Sequence, residues 1–204
     1  MSEAFDPRRT ALLTIDLQND FLHPQGAYGR AGQGAPAIAA LPARIRPVAD
    51  ALRAAGGSYI SAQFTLVPRP DGQPLIAPHL KRLRPFLGPG DFAPGSWGNA
   101  LVETLAPADY TVEKVAYSAF WQTRLEHVLR MAGIDTLIVG GIVTNGGVAS
   151  TLRDAHLRNI ETVMLTDGCA AFDAAVHEAT LVSLRTVTRQ ETCAGALALI
   201  GRVE

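Results

Sequence analysis

The residues able to do chemistry stand where short apolar runs end. TALLTID (10–16) closes on Asp16, SYISAQF (58–64) carries Gln63, and TVEKVAY (111–117) carries Lys114. DTLIVGG (135–141) leads into Thr144-Asn145-Gly146-Gly147, and ETVMLTD (161–167) delivers Asp167 with Cys169 just beyond. An acid and a lysine brought together from the ends of neighbouring strands shift each other's pKa and can share proton transfer. Read alone, Asp16 is equally a loop anchor accepting backbone N–H groups, and Lys114 an exposed lysine on an edge strand.

Gly146 and Gly147 fall where a helix should begin, although glycine costs a helix roughly 0.8–1.0 kcal/mol relative to alanine. A helix start presents unpaired N–H groups and a positive dipole end. Without a Cβ, a ligand can approach that backbone closely, which suits an anion or oxyanion. One glycine would already satisfy a tight strand-to-helix turn; the second favours a functional reading.

Other chemistries find less support. Gly140-Gly141 with Gly146-Gly147 makes neither a Walker loop nor a dinucleotide fingerprint. His23, His79, His127, His156 and His177 are scattered without metal-ligand spacing, so a zinc site is not expected. The last three read as helix-surface residues. Ser118 and Ser150 lack a nucleophile elbow, and Cys193 is expected to pack in or near the last helix.

The positioning elements alternate. After strand 10–16 comes a Gly/Pro loop to about residue 35, then helical spacing over 37–56 that stops at Gly56-Gly57, interrupted by Pro42 and Pro47. Strand 58–64 follows, then an irregular stretch, 65–96, rich in proline and glycine, of the kind that is functional or mobile. A short helix is expected over 97–105, a strand over 111–117 and a helix over 122–132. A buried strand at 135–141, a helix at 147–159 and a buried strand at 161–167 come next, then a helix at 173–185, a strand at 186–189 and a helix at 191–201. Such alternation predicts an α/β, three-layer, doubly wound and mostly parallel six-stranded sheet with helices on both faces. Its ligand crevice lies outside the carboxyl ends of the strands. With no repeats or linker, 1–204 reads as a single domain.

The bulk properties narrow the partners. The chain has 204 residues, 48% of them hydrophobic, with 18 basic and 19 acidic side chains and a net charge of −1. No basic run suggests nucleic acid, and no apolar run approaches the roughly 20 residues of a membrane span. Two cysteines make no disulfide framework, and MSEAFDPRRT has no apolar signal core. A cytoplasmic location is the expectation.

Three blocks in order, LLTIDLQNDF (12–21), VEKVAYSAF with TRLEHVLRMAGIDTLIVGGIVTN (112–145), and STLRDAHLRNIETVMLTDGCAAF (150–172), resemble the isochorismatase-like hydrolase superfamily. That superfamily includes isochorismatases, nicotinamidases and N-carbamoylsarcosine amidase. The resemblance covers about residues 10–200 and implies a doubly wound α/β fold. The family's amidases use an Asp–Lys–Cys triad. Asp16 and Lys114 match its first two members, and Gly147 stands where the cysteine falls. Without a thiol, the thioester route to amide hydrolysis is closed.

Isochorismatases resemble this chain in having glycine there, and cleave a vinyl ether with no covalent nucleophile. The resemblance therefore implies catalytic Asp16 (general acid/base), Lys114 and Gly147, with substrate-binding Gln63, Phe21, Thr144, Gly146 and Val143. Vinyl-ether hydrolysis is favoured. The alternatives are a C–N hydrolase of the amidase branch with an altered mechanism, suggested by Thr144-Asn145, or a catalytically silent binding protein. Cys169 is taken as structural. QFTLVPRPDG (63–72) lacks the nicotinamidase Asp-x-His, so no metal and no cofactor are expected. The resemblance also implies a non-proline cis peptide near Val143-Thr144, a small-molecule substrate and a homo-oligomer (dimer or tetramer). Arg69 and Arg82 are weak candidates to hold a substrate carboxylate.

Overall fold

A computed structural model describes residues 5–201. Residues 1–4 and 202–204, which include the start of the polar MSEAFDPRRT stretch, lie outside the described residues. In chain order the elements are β1 (Thr10–Ile15), α1 (Asn19–Leu22), α2 (Ala27–Arg30), α3 (Pro36–Ala39), α4 (Leu41–Ala54), β2 (Ser58–Phe64), α5 (Pro78–Leu83) and β3 (Tyr110–Lys114). Then follow α6 (Leu125–Met131), β4 (Thr136–Ile142), a π-helical turn (Thr144–Val148), α7 (Ala149–Leu157), β5 (Glu161–Ala170), α8 (Ala174–Leu184), β6 (Arg189–Glu191) and α9 (Cys193–Ile200).

The six strands form one parallel sheet in the order β3-β2-β1-β4-β5-β6. Side chains alternate across a strand, and β1 sends them into two cores. Ala11, Leu13 and Ile15 pack with Leu125 and Leu129 of α6, Leu152 of α7 and Leu184 of α8. Leu12 packs on the other face with Leu41, Ile45, Val48 and Leu52 of α4 and Ala196 of α9. This is the three-layer α/β architecture that the alternation of elements predicts. A third cluster, of Ala27, Tyr28, Leu66, Leu87 and Phe92, joins the loop regions to one another. Among the described residues no helix is long and apolar enough to cross a membrane.

Where elements differ from expectation, long-range partners explain it. Residues 97–105 form turns rather than a helix because their backbone serves the segment after β1. Ala100 O accepts from Asn19 N–H (3.0 Å), Gly98 O from Asp20 N–H (2.8 Å), and Val102 N–H donates to Leu17 O (3.0 Å). The helical stretch at 37–56 divides at Ala40. Pro42 sits harmlessly in the first turn of α4, whereas Pro47 lies inside that helix without ending it. Strand β3 stops at Lys114, and β6 is shifted to 189–191. Strand β5 runs on to Ala170 because its pairing with β4 resumes beyond a bulge, at Gly141↔Cys169. Cys169 is thus inside a strand rather than past its end.

At that bulge Gly141 has φ +121°, and a Cβ on it would come 2.2 Å from Ile15 O. Only glycine permits so close an approach. It seats the end of β4 directly against the end of β1, the two strands that carry the candidate site.

Candidate active site

In this strand order the direction of chain progression reverses between β1 and β4, the switch point where open α/β sheets bind ligands. Asp16 leaves β1 at that point. Its backbone is left-handed (φ +59°), uncommon for any residue but glycine, with its N–H donated to Ala62 O of β2 (2.9 Å). The carboxylate is only 6% exposed, yet it faces no backbone donor cage. Oδ2 accepts from Lys114 Nζ at 2.8 Å, and Oδ1 is buried with no hydrogen-bond partner among the described residues. Burial pushes the Asp16 carboxyl above the ordinary carboxylate range, and the Lys114 charge opposes that rise.

Lys114 ends the edge strand β3, but it is buried rather than exposed. Its ammonium also donates to Ala116 O (3.1 Å) and lies 5.5 Å from the centre of the Phe64 ring. The burial follows from register: Lys114 pairs with Phe64 on β2, which turns it toward the end of β1.

Gly147 completes the arrangement from the π-helical turn. A Cβ there would lie 3.3 Å from Asp16 Oδ2, 3.0 Å from Ile142 O and 2.9 Å from Ile15 Cγ2. The glycine backbone therefore abuts the carboxylate in a space too tight for a side chain unless Ile15 shifts. The non-proline cis peptide lies at Ile142–Val143, one residue before the expected position. Two amides of this turn are already committed, since Gly146 and Val148 N–H both donate to Val143 O (2.9 and 3.3 Å). Gly146 thus serves the turn through its own N–H, and a Cβ on it would press on Val143 and the Tyr117 ring. Thr144 is fully buried and hydrogen-bonded through Oγ1 to His177 Nδ1 (2.8 Å), which makes His177 of α8 a half-buried strut and not a surface residue.

A cavity of about 290 Å³ opens over the pair. Asp16 and Lys114 line it with Phe21, Tyr28, Phe64, Tyr117 and Trp121, and with Arg84 and His79 from the end and start of the α5 region. Of the expected substrate contacts, the structure brings Phe21 to this cavity. Gln63 is placed elsewhere: adjacent strand residues face opposite ways, and Gln63 lines a separate surface depression with Glu113 and Asn99. Thr144, Val143 and Gly146 belong to the turn and are not among the residues that line this cavity. Arg69 belongs to an exposed turn closed by its N–H to Gln73 O, and Arg82 is exposed. The arginine that reaches the cavity is Arg84, which sequence reasoning missed. Its signal was faint: a third basic residue in KRLR, distinguishable from Arg82 only once α5 is known to end at Leu83.

Cys169 is buried, and its thiol donates to Val139 O (3.8 Å). Burial pushes it far above the ordinary thiol range, the opposite of what a thiolate nucleophile needs. Cys193, the first residue of α9, is pushed up to about 12 by burial and by Asp167 beside it. Both thiols are free, and among the described residues no group of three or more His, Cys, Asp or Glu is placed to hold a metal ion.

Comparisons with known proteins agree with this fold. The family model described as "Isochorismatase domain" matches residues 10–194. A ureidoacrylate amidohydrolase RutB of Methylobacterium radiotolerans is 34% identical over 195 residues, covering 90% of this chain and 76% of its own. Its counterpart in Methylorubrum extorquens strain AM1 is 34% identical over 90% of this chain and 79% of its own. A cysteine hydrolase from Pseudomonas syringae pv. phaseolicola 1448A superimposes with a TM-score of 0.84 at 29% identity, covering 98% of this chain and 99% of that one. N-carbamoylsarcosine amidase from Thermoplasma acidophilum shares the fold, with a TM-score of 0.70 at 24% identity over 91% of this chain and 96% of its own. With the family match running through nearly the whole length, this chain belongs to the isochorismatase family of hydrolases.

Proposed function

We propose that the protein hydrolyses a C–N bond in a small ureido, carbamoyl or amide compound, using Asp16 for proton transfer and no covalent protein nucleophile. One observation carries the reading. The Asp16–Lys114 pair leaves the buried Asp16 Oδ1 without a hydrogen-bond partner among the described residues, and Gly147, which abuts the Lys114-bound Oδ2, has no side chain to attack a carbonyl. The family resemblance puts a cysteine at this position in the amidases. Here water takes its place.

In the reaction, Asp16 accepts a proton from water as the water oxygen bonds to the substrate carbonyl carbon. The tetrahedral intermediate holds its charge on the former carbonyl oxygen, stabilised by the Lys114 ammonium that lines the cavity. Asp16 then returns the proton to the departing nitrogen as the C–N bond breaks. A carboxyl raised by burial is well placed to act in both directions. The names of the sequence relatives, ureidoacrylate amidohydrolases, weigh toward C–N bonds.

Vinyl-ether hydrolysis is the second reading, and the raised Asp16 carboxyl favours it. A protonated Asp16 would protonate the vinyl carbon, and water would add to the resulting cation. The test offers the enzyme 3-ureidopropanoate, N-carbamoyl amino acids and simple amides with ammonia release measured, and isochorismate with pyruvate release measured. Asp16→Asn and an iodoacetamide-treated sample run beside the wild type. Ammonia release that needs Asp16 and ignores alkylation supports the proposal. Pyruvate release without ammonia replaces it with the vinyl-ether reading. Activity that survives in Asp16→Asn, or that alkylation abolishes, overturns both.

A further inference from the structure

Among the described residues, Arg84 is the one guanidinium that lines the Asp16 cavity, and none of them gives it an acidic partner. It is half-buried just beyond α5, where Nε donates to Tyr28 Oη (2.7 Å) and Nη2 to Tyr117 Oη (3.4 Å). Among the described residues no ion pair includes it, although Arg30, Arg46, Arg53 and Arg158 each hold a carboxylate. Asp16 and Lys114 cancel each other, so the guanidinium is the cavity's uncompensated charge; besides the two tyrosines it touches, His79 is the other titratable side chain lining the cavity. A cation taken part-way out of water against Phe64, Leu80 and Leu87 is costly unless an anion meets it.

We infer that the substrate of this pocket carries a carboxylate, bound by Arg84 together with the Tyr28 and Tyr117 hydroxyls. The inference rests on the reading that this cavity takes the substrate, and it adds the chemical class of that substrate. The geometry suits a carboxylate well. Tyr28 Oη accepts from Arg84, so its own proton is free to be given to an anion. The guanidinium's planar fork matches two carboxylate oxygens, which an ammonium does not. Size fits as well. At about 30 Å³ per water-sized unit, about 290 Å³ holds roughly ten heavy atoms. The ligand is then a small molecule with its carboxylate on Arg84 and its cleavable bond on Asp16. The aromatic lining of Phe21, Phe64 and Trp121 favours a flat or unsaturated body between the two.

Benzoate and benzamide differ in charge and hardly in shape, so the test measures the binding of each by calorimetry. The proteins are the wild type, Arg84→Gln and Arg84→Lys, with circular dichroism reporting their fold. The expected result is at least tenfold tighter binding of benzoate by the wild type. That preference should be lost in Arg84→Gln and partly kept in Arg84→Lys. Equal binding of the two probes, binding of neither, or a benzoate preference that survives in Arg84→Gln overturns the assignment; in the last case Lys114 or His79 holds the anion. The readout does not need turnover. An Arg84-dependent preference in a protein that releases neither ammonia nor pyruvate would sink the hydrolase reading and leave the anchor standing. Ammonia release from carboxylate substrates that is undiminished in Arg84→Gln would do the reverse.

Discussion

Asp16 and Asp20 are buried acids one helical turn apart in sequence, and the molecule treats them in opposite ways. Asp20 is fully occupied. Oδ1 accepts from Ala27 N–H (2.9 Å) and Oδ2 from Phe92 N–H (2.6 Å), and Gly98 packs so closely that a Cβ on it would strike the carboxylate. It ties the start of α2 to the loop before β3 and has nothing left to offer a ligand. Asp16 has one lysine, one unpartnered oxygen and a cavity in front of it. Burial is shared by the two, so burial alone does not distinguish a working acid from a structural one. The distinction lies in the donors: fixed backbone amides saturate an acid, whereas a single ammonium leaves it a free lone pair and a perturbed pKa.

The comparison can be broken most decisively at Asp16. Asp16→Asn keeps an acceptor for Lys114, so the fold should survive by circular dichroism while turnover falls about 10³-fold, within the range of lost acid–base catalysis. Lys114→Met should cost turnover about 10²-fold and also move the pH profile. The Lys114 charge lowers the Asp16 pKa, so removing it lets that pKa climb. If Asp16 acts as a base it must be ionised, and the rising limb of activity moves to higher pH. If it acts as an acid it must be protonated, and activity persists to higher pH before it falls. The direction in which the profile opens thus separates the two chemistries.

Asp20→Ala probes the other side of the comparison. It orphans two buried amides and should lower stability by about 3 kcal/mol, a fall in Tm of roughly 6–12 °C. Turnover measured well below that Tm should stay near the wild-type rate. A large loss of turnover with unchanged stability would erase the distinction between the two acids. The smallest effect is expected at Cys169, whose buried thiol faces Val139 O. Cys169→Ala should leave turnover within about twofold of the wild type.

The sheet was legible because buried parallel strands announce themselves as apolar runs, as TALLTI and TLIVGGI do. That Asp16 and Lys114 meet was legible because strand ends collect ligand-facing residues, and the family resemblance implied both positions and that of Gly147. What stayed hidden depends on partners far away in the chain. Asp20 reads as one more polar residue in QNDF until Phe92, 72 positions on, is seen to donate to it. Residues 97–105 have helical composition but give their carbonyls and an amide to residues 17–20. Gln63 was misplaced by a single step of strand alternation, which sends it away from the cavity that its neighbour Phe64 lines. Arg84 was hidden among charges of the same kind.

Lys114 is the last residue of β3, a five-residue strand whose one hydrogen-bonded neighbour in the sheet is β2. Sheet margins open more readily than sheet centres, by local excursions that leave the rest of the protein intact. Each such excursion would withdraw the ammonium from Asp16, switching the pair off while the hydrophobic layers stay closed. On warming, turnover should therefore fade before the molecule melts. The working temperature ceiling is then a property of one short marginal strand, a thermal fuse set lower than the fold it protects.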